Sequence, residues 1–205
     1  MNPYQVTKDF EKALCEYTGA PYAVAVNSGT MAILLALKWH AESILPVALS
    51  VTVPRKTYVS VPCAVLTSGL MIEWTDKPWK GEYQFSPLPV WDSACRFTSG
   101  MYRAGQFQCV SFATNKILGI EQGGAILHDS PEADTWFRKM RFDGRTEGVS
   151  VHDDTFDVIG YHCIMLPSIA AQLTLKLFHT KKNNEDLSFN YPDLSRHPAF
   201  MGHMA

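Results

Sequence analysis

Short apolar segments that alternate with helical patterns constrain the fold of this chain more than any other feature. The apolar segments occupy residues 22–26, 47–53, 71–74, 90–91, 107–112 and 123–127. They are mostly apolar runs rather than alternating patterns, which is typical of strands covered by helices on both faces. We therefore predict an α/β fold, a three-layer α/β/α sandwich around a mostly parallel mixed sheet.

The helical patterns lie between these segments. Val6, Phe10, Leu14 and Tyr17 recur at helical spacing, and Gly19 follows as a stop signal. Further helices are predicted over residues 31–40, 58–66, 132–142 and 168–178, whereas residues 79–89 are rich in proline and aromatics without a clear period. The pattern predicts one large domain over residues 1–180 and a short polar tail over residues 181–205.

Composition excludes several classes of protein. The chain has 205 residues and a net charge of −2, and no basic run indicates nucleic acid or an anionic membrane. Its 5 cysteines include no C-x-x-C pair, which favours reduced thiols over disulfides, and no cluster has the spacing of metal ligands. No apolar stretch approaches the ~20 residues of a membrane helix, and residues 1–10 lack a signal-peptide pattern. We expect a cytoplasmic protein, in the host cytoplasm if the source is a virus.

Three polar clusters each follow an apolar strand. They are Ser28-Gly29-Thr30, Asp92-Ser93-Ala94 and residues 111–116, which end in Lys116. Ligands of such sheets bind at the carboxyl ends of the strands, so three parallel strands would bring these clusters to one edge. A hydroxyl, carboxylate and amine set of this kind fits pyridoxal phosphate (PLP).

Each cluster also has a simpler interpretation. Ser28 and Thr30 could only cap the next helix, although the same helix terminus can bind a phosphate that Gly29 lets approach. Asp92 could be a cap, or it could keep the ring nitrogen of PLP protonated so that the ring accepts electrons. Lys116 could be a solvated surface charge, or, in its apolar surroundings, the nucleophile that forms a Schiff base.

Tyr58, Ser111 and His162 are further candidates. Tyr58 could belong to the core or stack on the cofactor ring, and Ser111 could add a phosphate contact. His162 follows Gly160-Tyr161 and precedes Cys163, where a histidine is more often packed than catalytic. No Ser, His and Asp arrangement predicts a catalytic triad.

The motifs, taken in their order along the chain, resemble those of the DegT/DnrJ/StrS family of PLP-dependent nucleotide-sugar aminotransferases, which have the fold type I architecture. The resemblance spans roughly residues 5–178. It rests on the three clusters above together with the stretches 10–19, 53–58, 123–125, 160–161 and 170–177. It implies a PLP-transferase large domain.

The resemblance also implies a role for each site residue. Lys116 would hold PLP as a Schiff base and move protons, and Asp92 would pair with the ring nitrogen. Tyr58 and Ala94 would flank the ring. The phosphate would be held by Ser28, Gly29, Thr30, the Met31 amide and Ser111. The family works as a homodimer with shared sites, so the partner's His162 would reach the cofactor phosphate.

The chain departs from the family pattern in several places. His162 and Ile164 stand where the family has asparagine and arginine, and Cys95 replaces a glutamine or histidine near the ring hydroxyl. Gln122 replaces the usual glutamate before Gly123-Gly124, and the C-terminal small domain is largely missing.

The leading hypothesis is therefore a transaminase that moves an amino group from an amino acid such as glutamate to a keto-sugar nucleotide. A PLP-dependent sugar dehydratase is a second hypothesis, which Lys116 disfavours because related dehydratases have histidine there. The third is a catalytically silent dimeric remnant that binds PLP or a nucleotide sugar.

Overall fold

A computed structural model describes residues 3–44 and 49–201 of the chain. Its helices are α1 (Pro3–Thr18), α2 (Gly29–Ile44), α3 (Ser60–Thr67), α4 (Pro131–Met140), α5 (Pro167–Phe178) and α6 (Pro198–Met201). Its strands are β1 (Tyr22–Val26), β2 (Ser50–Pro54), β3 (Met71–Thr75), β4 (Tyr83–Gln84), β5 (Val90–Asp92), β6 (Phe107–Ser111) and β7 (Gly124–His128). The predicted alternation of strands and helices is confirmed. The predicted strand over residues 47–53 starts at Ser50, and residues 47 and 48 lie outside the described residues.

The strands form a mixed sheet in which the order is β1-β7-β6-β5-β4, and β2 and β3 form a separate parallel pair. β5 and β6 are parallel, but β7 runs antiparallel to both β6 and β1, and β4 is antiparallel to β5. The sheet is mixed as predicted, but it has fewer parallel pairs than expected. The reason is that residues 112–123 connect β6 to β7 without the helical crossover that a parallel neighbour requires.

Helices cover both faces of this sheet. Along β1, Val24 and Val26 pack into the core that contains α2 and α3, whereas Ala23 and Ala25 pack into the core that contains α1 and α5. Side chains of successive strand residues point to opposite faces, so β1 has no solvent-exposed face. The three-layer arrangement is confirmed, and it explains why the strands are apolar at consecutive positions.

Local signals set the helix ends. α1 stops where Gly19 adopts a φ of 82°, and the Gly19 N–H donates to the Cys15 carbonyl at 2.9 Å. α4 begins after Ser130, whose hydroxyl accepts the Ala133 N–H at 3.0 Å, and Pro131 occupies its first position. Among the described helices, none is long and apolar enough to cross a membrane.

The relative direction of three strands positions the site. β1 and β6 both run opposite to β7, and β5 runs parallel to β6, so β1, β5 and β6 point the same way. Their carboxyl ends therefore lie at one edge of the sheet, as the sequence predicts, although β7 separates β1 from β6.

Candidate active site

The start of α2 forms one side of the site. Ser28 follows β1, and its hydroxyl accepts the Met31 N–H at 3.2 Å. The Thr30 hydroxyl is 2.7 Å from the Ser60 hydroxyl at the start of α3. A hydroxyl of α2 and a hydroxyl of α3 thus meet at the N-terminus of α2, where the helix dipole favours an anion.

Glycines allow β6 and β7 to approach this helix. A Cβ on Gly29 would lie 2.7 Å from the Ser111 Cβ, and a Cβ on Gly124 would lie 2.5 Å from the Gly29 nitrogen. Side chains at these two positions would push the backbone segments apart. Gly29 and Gly124 therefore keep Ser111 beside the N-terminus of α2.

Asp92 lies at the carboxyl end of β5 and is only 6% exposed. One carboxylate oxygen accepts the Ala94 N–H at 3.0 Å, and the other accepts the Tyr83 hydroxyl at 2.9 Å. The Tyr83 oxygen is in turn 2.7 Å from the Thr57 hydroxyl. The carboxylate is thus fixed in orientation by neutral donors.

Burial raises the pKa of Asp92 above its usual range. The Ala94 amide, the Tyr83 hydroxyl and the charge of Lys116 oppose this shift without cancelling it. Burial also raises the pKa of Tyr83, and the negative charge of Asp92 adds to the effect. Tyr83 therefore stays a neutral donor to Asp92.

Lys116 lies in a tight loop after β6. The Lys116 N–H donates to the Ala113 carbonyl at 2.8 Å, and the Lys116 carbonyl accepts the Gly119 N–H at 2.8 Å. A Cβ on Gly119 would lie 2.3 Å from the Ala113 carbonyl, so only glycine fits this turn. The loop directs the Lys116 amine to 3.4 Å from the Cys95 sulfur. Burial raises the pKa of the Cys95 thiol, although the Lys116 charge opposes this.

One cavity of about 280 Å³ brings these side chains together. Its predicted lining residues are Ser28, Gly29, Thr30, Tyr58, Asp92, Ala94, Cys95, Ser111 and Lys116. The cavity thus has hydroxyls and a helix N-terminus on one side and the Asp92 carboxylate and Lys116 amine on the other. Its volume is near the lower end of the roughly 300–1,000 Å³ of small-molecule sites.

Two predicted residues lie outside the wall of this cavity. Met31 does not line it, and its amide already donates to the Ser28 hydroxyl. His162 is exposed in the loop before α5, where its ring nitrogen is 2.8 Å from an Asp143 carboxylate oxygen. A contribution of His162 to a partner's site stays a prediction.

Several lining residues were missed by sequence reasoning. They are Thr57, Ser60, Trp79, Asn115, Gln122 and Tyr191. Thr57 and Asn115 adjoin predicted residues, so their place in the chain was a usable signal. Trp79 lies in the segment without a clear period, and Tyr191 lies in the polar tail, where only the presence of aromatic residues hinted at a role.

The residues of the cavity fit PLP. None of the ion pairs formed within 4.0 Å by the described residues involves Asp92. A buried carboxylate without a close cation is costly, and a protonated ring nitrogen would compensate it. The N-terminus of α2 suits a phosphate. No group of three or more potential metal ligands occurs among the described residues.

Comparisons with known proteins agree with the fold described above. Residues 1–77 match the sequence model of the DegT/DnrJ/EryC1/StrS aminotransferase family. The match includes Ser28-Gly29-Thr30 and Tyr58 and ends before Asp92 and Lys116. No curated protein matches the chain by sequence.

Solved structures share the fold over most of the chain. The sugar aminotransferase CalS13 from Micromonospora echinospora has a TM-score of 0.68 and 19% identity, over 85% of this chain and 60% of that one. The Helicobacter pylori aminotransferase PseC, of pseudaminic acid biosynthesis, has a TM-score of 0.72 and 17% identity, over 85% of this chain and 58% of that one.

NtdA from Bacillus subtilis, solved with its cofactor PMP, has a TM-score of 0.67 and 20% identity, over 84% of this chain and 47% of its own. The chain thus spans between 47% and 60% of the length of these structures. The resemblance to the DegT/DnrJ/EryC1/StrS aminotransferase family is confirmed, by sequence over residues 1–77 and by fold over 85% of the chain.

Proposed function

We propose that this chain is a PLP-dependent sugar aminotransferase whose cofactor is held by Lys116. The observation that carries the proposal is that Lys116 and Asp92 line one cavity with the N-terminus of α2. When bound, PLP supplies an electron-accepting ring for the α-carbon of an amino donor. Residues 1–180 would form the cofactor-binding domain, and residues 181–205 would form its tail.

The hydroxyl side of the cavity would bind the phosphate. Ser28, Thr30 and Ser111 offer hydroxyls, and Gly29 lets the backbone approach the anion closely. The Met31 amide lies in the first turn of the same helix and would add a donor by exchanging its bond to the Ser28 hydroxyl for one to the phosphate. The helix dipole stabilises an anion at this position without a lysine or arginine contact.

Asp92, Ala94, Tyr58 and Cys95 would surround the ring. Asp92 would accept a hydrogen bond from the ring nitrogen and hold its proton, because a buried carboxylate gains most from a cationic donor. Ala94 and Tyr58 would lie against the ring, and the Cys95 thiol would lie near the ring hydroxyl. Because Tyr83 and the Ala94 amide already orient Asp92, little reorganisation is needed.

Lys116 would act as nucleophile and proton carrier. Its amine would bond covalently to the aldehyde of PLP and, once released, would carry a proton between the donor's α-carbon and the cofactor. The tight loop closed by Gly119 fixes the base of the side chain, so the amine alone moves.

The substrates are proposed from the neighbouring structures. CalS13 is described as a sugar aminotransferase, and PseC as an aminotransferase of pseudaminic acid biosynthesis. We infer that the acceptor is a keto-sugar nucleotide and that the donor is an amino acid such as glutamate. The presence of Lys116 instead of histidine disfavours the dehydratase alternative.

An absorbance titration tests this function. Purified protein should gain a visible band on addition of PLP, and the band should bleach with glutamate and return with a keto-sugar acceptor. Lys116→Ala should abolish the band without unfolding the chain, whereas Lys12→Ala, an exposed lysine of α1, should keep it. An unchanged band in Lys116→Ala would overturn the assignment of Lys116.

A silent binding module is the second candidate. The observation that favours it is that Ile164 stands where the family pattern has an arginine. Protein that turns yellow with PLP but never bleaches with an amino donor would support this candidate. Protein that stays colourless with PLP would contradict both candidates.

We further propose a homodimer with shared sites. Large apolar side chains are exposed near His162, including Ile159 at 94%, Phe156 at 52% and Leu166 at 51%. A second copy of the chain would cover them and bring the partner's His162 to the phosphate. Ile159→Asp should shift sedimentation from dimer to monomer, and a wild-type monomer with full activity would contradict the proposal.

We also propose a cytoplasmic location, which fractionation of source cells would test.

A further inference from the structure

A segment of the tail passes beside the cavity and contributes Tyr191 to its lining. This segment comprises residues 186–195. Near its start, the Leu187 N–H donates to the Cys95 carbonyl at 2.8 Å, and the Leu187 carbonyl accepts the Gly81 N–H at 3.1 Å. Near its end, the Leu194 N–H donates to the Arg55 carbonyl at 2.9 Å. The segment is therefore attached at both of its ends, to Cys95 in the cavity wall and to Arg55, two residues before Thr57 of the same wall.

Side chains strengthen both attachments. Asp186 accepts a hydrogen bond from Arg96 at 2.8 Å, and the Arg55 guanidinium donates to the Ser195 hydroxyl at 3.0 Å. The Asp193 carboxylate accepts both the N–H and the hydroxyl of Ser195. Asp186 is partly buried and Ser195 is buried, so these are not simple surface contacts.

Between the attachments, the side chains alternate in exposure. Phe189 and Tyr191 are half-buried, whereas Ser188, Asn190 and Pro192 are exposed. This period of two is that of an extended chain with one face turned inward. Both inward positions hold aromatic residues, whereas Ser188 and Asn190 between and beside them are polar.

These two aromatic side chains face the site. The Lys116 amine lies 4.6 Å from the centroid of the Phe189 ring and 3.4 Å from the Cys95 sulfur. Tyr191 lines the cavity, and its ring is stacked with that of Trp79 at a centroid distance of 6.3 Å. The Tyr58 ring is 6.2 Å from Tyr191 on the same side.

We propose that Tyr191, which lines the cavity, and Phe189, which contacts the Lys116 amine without lining the cavity, together form an outer wall, in which Phe189 positions the Lys116 amine and Tyr191 limits the size of molecules that reach it. The inference rests on the proposed function only for the identity of those molecules. A ring face attracts an ammonium group, so Phe189 holds the amine inside the cavity rather than in solvent. Tyr191, Trp79 and Tyr58 leave only a narrow entrance for the acceptor sugar.

Labelling of lysines in the protein alone tests this wall. The rates of modification of Lys116 and Lys12 are measured by peptide mass spectrometry with two reagents. One is formaldehyde with cyanoborohydride, which is small, and the other is a bulky N-hydroxysuccinimide ester. Lys12, 78% exposed, serves as the internal reference. In the wild type, Lys116 should discriminate against the bulky reagent far more than Lys12 does.

The double variant Phe189→Ala/Tyr191→Ala removes the wall. The bulky reagent should then label Lys116 on the order of tenfold faster, as expected when a local barrier to access is lost, while Lys12 is unchanged. Tyr191→Phe, which keeps the ring, should behave as the wild type. An unchanged bulky-reagent rate at Lys116 in a folded double variant would overturn the proposal.

A second variant covers the case in which the double variant unfolds. Phe189→Leu keeps apolar volume but removes the ring face, so the Lys116 rate should rise with both reagents if the proposal holds. An unchanged rate in this variant would contradict the positioning role of Phe189. Since no PLP is present in these measurements, they are independent of the absorbance titration, and failure of one can be told from failure of the other.

Discussion

Two buried carboxylates, Glu11 and Asp92, are placed in opposite electrostatic surroundings. Glu11 in α1 is 4% exposed and Asp92 at the end of β5 is 6% exposed, so burial opposes both charges. Glu11 is compensated by two arginines, whereas Asp92 is oriented by neutral hydrogen-bond donors. This difference is the one expected between a carboxylate that holds the fold together and a carboxylate that binds a ligand.

The surroundings of Glu11 form a closed network. Arg141 and Arg138 each contact one of its carboxylate oxygens, and the Ala25 N–H donates to it at 2.9 Å. Burial raises the pKa of Glu11, but the attraction of Arg141 and Arg138 outweighs this effect and lowers the pKa below its usual range. The network ties α1 to β1 and to α4, and every strong partner of Glu11 is part of the protein.

The surroundings of Asp92 lack such a counter-charge. Burial raises its pKa, and the donors present only reduce that shift. Lys116 acts on Asp92 across the cavity rather than in an ion pair. Perturbed carboxylates in cavities mark functional sites more often than perturbed carboxylates in closed ion pairs do. A site that binds a cationic ring needs a carboxylate whose charge is not already neutralised by an ion pair within the protein.

The largest expected effect comes from opening the Glu11 network. Arg141→Met should lower the free energy of unfolding by about 3–5 kcal/mol, because it leaves a buried carboxylate with too little compensation. Arg141 is 3% exposed and also donates to the Ala25 carbonyl at 2.6 Å. Urea unfolding followed by circular dichroism measures the loss.

Lys12→Ala is the matched control for Arg141→Met. Lys12 forms an exposed ion pair with Glu16 on the same helix as Glu11, so its loss should cost less than about 0.5 kcal/mol. A loss of similar size in both variants would show that the buried network is no more important than a surface pair.

An intermediate effect is expected at Tyr83, which supports Asp92. Tyr83→Phe leaves an Asp92 oxygen and the Thr57 hydroxyl without their shared partner, which should cost about 1–3 kcal/mol of stability. The same unfolding experiment measures it. Tyr17→Phe removes an exposed hydroxyl bond to the Lys181 carbonyl and a bond that the hydroxyl accepts from the Asn184 amide. It should cost less, because the Asn184 amide keeps its bonds to the Phe97 and Lys181 carbonyls, and equal losses would argue against a special environment at Asp92.

The comparison of Glu11 and Asp92 also shows which parts of the structure could be predicted from the sequence. Asp92 and Lys116 could be identified because each follows an apolar strand, and strand ends of one direction meet at one edge. The network of Glu11 could not, since Arg138 and Arg141 lie 127 and 130 residues away along the chain. Their pairing depends on how α4 and α1 dock on β1, which no local pattern encodes.

The same reasoning explains the other differences. The direction of β7 depends on a loop without a helix, and the place of Phe189 and Tyr191 depends on backbone contacts of the tail with residues near Cys95 and Arg55. The place of polar residues next to strand ends can be predicted from the sequence. Contacts between segments that are far apart along the chain cannot.

The smallest effect, with the opposite sign, is expected for Asp92→Asn in protein without PLP. An asparagine can still accept the Ala94 N–H, and it can donate to the Tyr83 oxygen, which then donates to Thr57. The variant should therefore unfold within about 1 kcal/mol of the wild type, and at neutral pH it should be at least as stable. Binding of PLP should nevertheless weaken, because the ring nitrogen loses its anionic partner.

The pH dependence distinguishes Asp92 from Glu11. The folded state raises the pKa of Asp92 above its ordinary value of 3.8, so ionised Asp92 lowers stability at neutral pH, and this cost disappears as the pH falls toward 3.8. The advantage of Asp92→Asn should vanish in the same range.

The folded state lowers the pKa of Glu11 below 4.5, so the contribution of ionised Glu11 to stability is complete above pH 4.5 and lost at lower pH. Glu11→Gln should thus be less stable than the wild type at neutral pH, by a margin that narrows below 4.5. Urea unfolding between neutral pH and the acid range measures both differences. Two differences of the same sign at neutral pH would refute the distinction between a structural and a ligand-directed carboxylate.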